Sequence, residues 1–338
     1  MIKVGVLGAT GAVGQRFVQL LADHPYFELS VLTASKRSAG KKYRDAAAWR
    51  LEVPFPDDVG DIIVSDTTVE SLKHVDLVFS ALPADLAGEV EMQCAKAGIG
   101  VCSNASTYRM EPNIPLVVPE VNADHLAMID LQRDSGIDGF IVTNPNCSTI
   151  MLTCSLAPLR KFSFSDIRVA TMQAISGAGF EGIPGMAIFD NVIPHIGGEE
   201  EKMERETLKI MGTFDGSEVQ KAPFSVSACC NRVPVIDGHS MSIWIDIKDP
   251  VEKVEQAFRT WNSTLPDLPT LPKKSVDFIE LPDRPQPRLD RMKGKGMTVS
   301  VGRVRPGIRY QAMGHNTIRG AAGASILNAE VIYDRDYL

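Results

Sequence analysis

The chain has 338 residues, 23% of them charged and 44% hydrophobic, close to the composition of an ordinary soluble globular protein and enough for one large or two ordinary domains. The net charge of −7 argues against a generic nucleic-acid binder and fits a cytosolic protein that handles small molecules. No apolar run is long enough to span a bilayer, no signal peptide is visible, and the six cysteines (Cys94, Cys102, Cys147, Cys154, Cys229, Cys230) show no CxxC or disulfide-framework spacing, so a reducing, cytoplasmic location without a metal centre is expected.

Ile2 to Leu7 is a short apolar run with little alternation, as in a strand covered on both faces. The glycine-rich GATGAVG (Gly8 to Gly14) follows, and then an amphipathic helix over Gln15 to Ala22. Phe27 to Leu32, Ile62 to Val64 and Asp76 to Ser80 read as further strands. Leu86 to Ala97 reads as a helix stopped by Gly98, Gly100 to Ser103 and Leu116 to Pro119 as short strands, and Ala123 to Arg133 as a helix. This alternation predicts an α/β Rossmann-type domain, a parallel sheet with helices on both faces. After Cys147 the strand-like runs lengthen: Asp166 to Ala174, Phe224 to Val235, Met241 to Ile247 and Met297 to Arg305. With helices over Glu199 to Met211 and Pro250 to Asn262, they predict an α+β domain on a largely antiparallel sheet. Leu265 to Pro287, rich in proline, reads as a surface excursion, and the apolar helix closing Asn316 to Ile332 is expected to pack back on the first domain. The domains expected are therefore 1–147 with 317–338, and 148–316.

Gly8, Gly11 and Gly14 sit between a strand and a helix, where glycine permits a tight turn and close backbone approach to a pyrophosphate. An NAD-preferring fold would carry an acid at the end of the second strand; here the chain reads Thr33-Ala34-Ser35-Lys36-Arg37-Ser38. Hydroxyls and cations there suit a 2′-phosphate, so NADP is the expected cofactor.

Asn144-Pro145-Asn146-Cys147-Ser148-Thr149 places a lone cysteine where an extended segment gives way to a helix. Pro145 biases Asn144 away from helical geometry, and Asn146 is a good N-cap. In the first turn, unpaired N–H groups and the helix dipole favour a thiolate, so Cys147 reads either as a nucleophile or as a buried structural thiol. A nucleophilic thiol beside a nicotinamide suggests aldehyde oxidation through a thioester, which calls for an acid/base and for groups that bind substrate charge. Of the six histidines, His24, His74 and His125 read as surface, His195 is ambiguous and His315 reads as structural. His239 follows a turn at the start of a strand, in Arg232-Val233-Pro234-Val235-Ile236-Asp237-Gly238-His239, so it and Arg232 could share one cavity. The acidic helix start Glu199-Glu200-Glu201-Lys202 reads as a solvated face, with Lys202 pairing to Glu206 at i,i+4.

Taken in order, GATGAVG, the SNAS…RM segment (Ser103 to Met110), NPNCST, QAISGAG (Gln173 to Gly179), GGEEEK (Gly197 to Lys202), RVPVIDGH and NTIRGAAG resemble the aspartate-semialdehyde dehydrogenase family, archaeal and fungal-type branch, over essentially the whole chain. The resemblance implies Cys147 as nucleophile, His239 as acid/base and Gln173 as a residue orienting the substrate. It implies Arg232 on the substrate carboxylate, Glu199 (or Glu201) on its amino group, and Arg109 and Lys202 on phosphate. The implied cofactor positions are Gly8, Thr10, Gly11, Ala12 and Val13, then Ser35, Arg37 and Ser38, with Ser80, Ser176, Gly177 and Asn316 near the nicotinamide end. The implied reaction is NADPH-dependent reductive dephosphorylation of L-4-aspartyl phosphate to L-aspartate 4-semialdehyde, in a homodimer or homotetramer. Competing readings are a malonyl-CoA reductase-like acyl-thioester reductase, an N-acetyl-glutamyl-phosphate reductase, and a non-catalytic NADP-sensing protein.

Overall fold

In the computed structural model, which describes residues 1–338, the alternating pattern of the N-terminal part builds one sheet of six parallel strands. Its strands are β1 (Ile2–Leu7), β2 (Phe27–Ala34), β3 (Ser65–Asp66), β4 (Leu77–Ser80), β5 (Gly100–Ser103) and β6 (Phe140–Thr143). Helices α1 (Ala12–Leu21), α2 (Ala84–Lys96) and α3 (Met128–Asp134) cover it. The spatial order β3-β2-β1-β4-β5-β6 reverses direction between β1 and β4, which opens the crevice where such sheets bind dinucleotides. The register pairs Leu7 with Ser80, Ser80 with Ser103 and Ser103 with Thr143, so the loops after four strands leave the sheet at one level.

The third strand differs from expectation. It is the two-residue edge strand β3, while Ile63 only bridges to Lys42. Leu116–Pro119 forms a single bridge to Thr143, because Pro119 cannot donate to a ladder and instead opens the helical turn Pro119–Asn122. Ala123–Ala127 is a 3₁₀ segment leading into α3.

Helix α4 (Cys147–Leu156) leaves the end of β6 and is buried from Ser148 to Leu156. Its apolar side chains serve two neighbours at once, so it shows no amphipathic stripe. Ile150, Leu152 and Leu156 are fully buried, each worth about 2 kcal/mol of transfer free energy. Its hydroxyls turn back on the helix: Thr153 Oγ1 donates to Thr149 O at 2.9 Å and Ser155 Oγ to Leu152 O at 2.8 Å.

The second sheet runs β10-β7-β11-β14-β13-β12, with a small hairpin, β8 with β9, beside it. The sheet comprises β7 (Asp166–Gln173), β10 (Ser225–Arg232), β11 (His239–Ile245), β12 (Val276–Ile279), β13 (Val299–Arg305) and β14 (Arg309–Gly314), and the separate hairpin comprises β8 (Thr213–Phe214) and β9 (Val219–Gln220). The three central pairings are antiparallel and the two outer ones, β10 with β7 and β12 with β13, are parallel. Ile167, Val169, Met241 and Ile243 face the core, whereas Arg168, Met172 and Trp244 are exposed on the other face. Helices α5 (Glu199–Ile210) and α6 (Val251–Thr260) pack at the flanks of this sheet.

Two strands of this sheet escaped the sequence reading, as did the hairpin β8–β9. β12 lies inside the proline-rich excursion, too short between Pro272 and Pro282 to show a period, and β14 follows a tight turn at Gly307. The closing helix α7 (Gly323–Asp334) packs against α1 and β5 of the first sheet.

Candidate active site

The strand registers bring the candidate residues to one place. On the second sheet Gln173 pairs with Arg232 across β7 and β10, and His239 pairs with Gly314 across β11 and β14. These positions end their strands on the side that faces the loop after β6.

Asn146 fixes the Cys147 loop through four bonds. Its Oδ1 accepts the Ser148 and Thr149 N–H groups at 2.9 and 3.2 Å, the N-cap arrangement expected from its sequence position. Its Nδ2 donates to Glu199 Oε1 at 2.9 Å and its backbone N–H to Glu206 Oε2 at 2.7 Å. Cys147 is then the first helical residue, half-buried, and its N–H is the helix-start donor that Asn146 leaves unengaged. Burial, and after it the Glu199 carboxylate, push the thiol up to about 12; Arg109, the Ser148 N–H and Arg232 pull against them.

His239 is fully buried. Its Nδ1 accepts the Ala174 N–H at 2.9 Å, so the neutral ring carries its proton on Nε2, which has no partner. Burial first, then Arg232 and His315, push this imidazole down to about 3. This shift favours the neutral ring, with its N–H on Nε2. The Ala174 carbonyl in turn accepts Arg232 Nη1 at 2.7 Å, so the backbone of one residue aligns both side chains. Gly177 lies over them: a Cβ there would sit 2.7 Å from Arg232 Nη1 and 3.3 Å from His239 Nε2, so a larger residue would displace the guanidinium. Gln173 is buried and donates from Nε2 to Thr171 Oγ1 at 3.3 Å.

Helix α5 supplies the other wall. Glu199 faces inward and Glu201 is exposed, which favours Glu199 of the two acids. Arg109 is buried; it donates to Glu206 Oε1 at 2.9 Å and to Asn104 O at 2.7 Å, and its Nε has no partner. Lys202 is half-buried near Gly198 and makes no ion pair.

The expected Lys202–Glu206 pair does not form, because Glu206 turns into the core and divides its oxygens between Arg109 and the Asn146 N–H. Glu200 and Glu204 are not free in solvent either. They accept the Cys230 and Ala228 N–H groups at 2.8 and 3.0 Å, satisfying the outer edge of β10. A helical i,i+4 step spans about 6 Å, close to two residues of a strand. Glu206, Lys209 and Ala174 are the positioning groups that sequence reasoning missed; Lys209 Nζ donates at 2.8 Å to the carbonyls of Arg109, Glu111 and Ile114. His24 and His125, read as surface, are buried: His24 Nε2 lies 2.8 Å from Glu330 Oε1 and His125 Nδ1 3.0 Å from Asn122 Nδ2. Polar sequence neighbours disguised both.

The glycine loop makes a cradle. Gly8 has φ +75° and a Cβ on it would meet the Ala81 carbonyl at 3.0 Å, while a Cβ on Gly14 would lie 2.7 Å from Ala9 Cα. Thr10, Gly11, Ala12 and Val13 are half-buried around the start of α1, whose N-cap Gly11 offers no capping side chain, so the first N–H groups remain available to an anion. At the end of β2, Ser35 and Arg37 are exposed, Ser38 half-buried, and neither Lys36 nor Arg37 is in an ion pair. These groups fit a dinucleotide with a 2′-phosphate. Ser80 is buried at the end of β4. Asn316 donates to Ser176 Oγ at 2.8 Å and accepts the Gly238 N–H at 2.8 Å, joining the cofactor side to the strand start that carries His239. A cavity of about 360 Å³ lies between these loops, lined by Ala12, Arg16, Arg50, Ser176, Phe180 and Asp237. A larger one of about 480 Å³, beside His24, Thr270 and Lys295, holds none of the expected residues.

Comparison with known proteins agrees with this geometry. Residues 3–129 match the semialdehyde dehydrogenase NAD binding domain, and residues 156–319 the semialdehyde dehydrogenase dimerisation domain. The chain is 53% identical to an aspartate-semialdehyde dehydrogenase of Archaeoglobus fulgidus over 98% of its length and 97% of the relative's. It is 51% identical to that of Methanothermobacter thermautotrophicus over 98% and 99% of the two chains. A crystal structure of aspartate semialdehyde dehydrogenase with NADP from Candida albicans superposes with a TM-score of 0.90 at 42% identity, covering all of both chains. Sequence, fold and site geometry thus converge, and the chain belongs to the aspartate-semialdehyde dehydrogenase family.

Proposed function

We propose that the chain reduces L-4-aspartyl phosphate to L-aspartate 4-semialdehyde with NADPH, reversibly, through a thioester on Cys147. The observation that carries this reading is the clustering of a helix-start thiol with two buried arginines, an inward carboxylate and an imidazole whose Nε2 has no partner. Each end of the substrate has a partner: Arg232 for its carboxylate, Glu199 for its ammonium, Arg109 and Lys202 for its phosphate.

In this mechanism the Cys147 thiolate attacks the acyl phosphate carbon, the C–O bond to phosphate breaks with the leaving phosphate taking up one proton from solvent, and a thioester remains. Bound NADPH supplies a hydride to the thioester carbon. The Cys147 N–H and the His239 Nε2–H hold the negative charge on the carbonyl oxygen, and as that charge collapses the C–S bond breaks to give aldehyde and thiolate. No proton needs to pass through His239 in that direction, which suits a ring whose Nδ1 is already an acceptor. We therefore read His239 as a hydrogen-bond donor rather than the acid/base of the family resemblance. Gln173 orients the substrate, while Gly8 to Val13, Ser35, Arg37, Ser38, Ser80, Ser176, Gly177 and Asn316 form the NADP cleft.

Substrate binding also activates the sulfur. The substrate ammonium cancels the Glu199 charge that holds the thiol up. Glu199→Gln is therefore expected to alkylate at Cys147 about three- to tenfold faster than wild type near neutral pH in the absence of ligands, with a raised KM for the semialdehyde. Unchanged or slower alkylation would contradict this. Arg232→Lys keeps the charge but cannot pair a carboxylate with two parallel bonds, so KM for the semialdehyde should rise about ten- to a hundredfold in steady-state kinetics.

We read 1–147 with 317–338 as the cofactor domain and 148–316 as the catalytic and dimerisation domain, and the protein as a cytoplasmic homodimer or homotetramer. The exposed face of the second sheet, with Met172 and Trp244, supports self-association, and no helix is long and apolar enough to cross a membrane. The deciding experiment is phosphate-dependent NADP reduction with L-aspartate 4-semialdehyde, run beside malonyl-CoA with NADPH. Turnover with the semialdehyde is expected; preference for the CoA ester would favour an acyl-thioester reductase instead.

A further inference from the structure

Behind Cys147 lies a buried polar group that the chemistry above does not use. Arg319 is fully buried, and its Nη1 and Nη2 donate to the two oxygens of Glu120 at 2.8 and 2.9 Å. Its Nη2 also donates to Cys154 Sγ at 2.8 Å. Glu120 belongs to the Pro119–Asn122 turn, and Cys154 follows Cys147 by about two turns of α4. The guanidinium thus ties the C-terminal segment both to the first part of the chain and to the nucleophile helix.

Arg319 itself sits in Ile318–Ala322, which is wound as a π-helix: the Gly320 N–H donates to His315 O at 2.9 Å and the Ala322 N–H to Thr317 O at 3.2 Å. Such turns are rare and concentrate at functional sites. This one seats Gly320 directly behind the nucleophile. A Cβ on Gly320 would lie 2.6 Å from Cys147 Cβ and 3.1 Å from its Cα. A fully buried ion pair is a poor device for stability alone, since an apolar set of similar volume does as well or better. A two-pronged pair with a third bond to the nucleophile helix is a device for fixing geometry.

We propose that Arg319 is a positioning residue for Cys147: by clamping Glu120 and Cys154 it holds the π turn whose Gly320 sets where the thiol points. This rests on Cys147 being the nucleophile. Arg319→Lys keeps the charge but cannot bond both Glu120 oxygens and Cys154 together. It should lower kcat about tenfold or more, leave both substrate KM values within about threefold, and alter the pH profile of Cys147 alkylation. Cys154→Ala keeps the ion pair and removes one bond; it should fold and lower kcat about threefold or more, with the same change in alkylation.

A folded Arg319→Lys with wild-type kcat and alkylation profile would overturn the proposal. So would losses that follow thermal stability alone, or an Arg319→Lys that fails to fold alongside a Cys154→Ala that behaves as wild type. Cys147→Ala in the same assay separates the two ideas. If it keeps activity, the nucleophile assignment fails; if it is inactive while the Arg319 and Cys154 variants match wild type, only the clamp fails.

Discussion

Cys147→Ser will fold, bind cofactor and lose at least about ten-thousandfold in kcat, the scale on which covalent catalysts lose activity when the nucleophile is removed. The hydroxyl fits where the thiol sits, at the first residue of α4 with the Asn146 cap intact, so packing and the N-cap bonds survive. What is lost is an anion. A serine hydroxyl has no ionised form that Arg109, Arg232 and a helix start can draw out near neutral pH, whereas a thiol does. Stopped-flow detection of NADP reduction, together with a thermal midpoint close to wild type, checks both halves of the statement.

The second large effect is at His239. His239→Ala removes the Nε2 donor and should cost about a hundred- to a thousandfold in kcat, with little change in KM, as when an oxyanion donor is deleted. His239→Asn restores an N–H donor without restoring a titrating group, and it should recover about tenfold of that loss. A residue needed as a base would gain nothing from asparagine. The pH dependence makes the same distinction. Because the imidazole is pushed down to about 3, it stays neutral above that value, and wild-type kcat should show no acid limb at the ordinary histidine range. The rise with pH should belong to the Cys147 thiol, held up by burial and by Glu199. A bell-shaped profile with an acid limb near the usual histidine value, lost in His239→Asn, would contradict the donor role.

Much of this was legible in the sequence because each feature has a local cause. A strand ending in glycines, a proline and asparagine before a cysteine, and cations where an acid would select NAD each follow from short-range backbone or charge requirements. The residues themselves raised Cys147, Arg232 and His239 as candidates, and the family resemblance gave them roles and added Arg109. Charged residues that point inward were not legible. Helix α5 looks solvated because Glu206 and Lys209 interrupt its buried stripe of Met203, Thr207 and Ile210, yet these two charges hold the loop that carries Arg109. Their partners are backbone groups and side chains 60 to 100 positions away, which no periodicity reveals. The same holds for Ala174, whose contribution is its backbone N–H and C=O rather than a side chain, and for Gly320, where a glycine in an apolar helix pattern hides contact with Cys147.

The most direct measurement of the central claim is to mix the enzyme with L-4-aspartyl phosphate in the absence of cofactor, quench in acid and map the acylated peptide by mass spectrometry. One aspartyl group on the Cys147 peptide, labile to hydroxylamine and missing in Cys147→Ser, is the predicted result. Acylation at another residue, or none in an enzyme that turns over once NADPH is added, would contradict it.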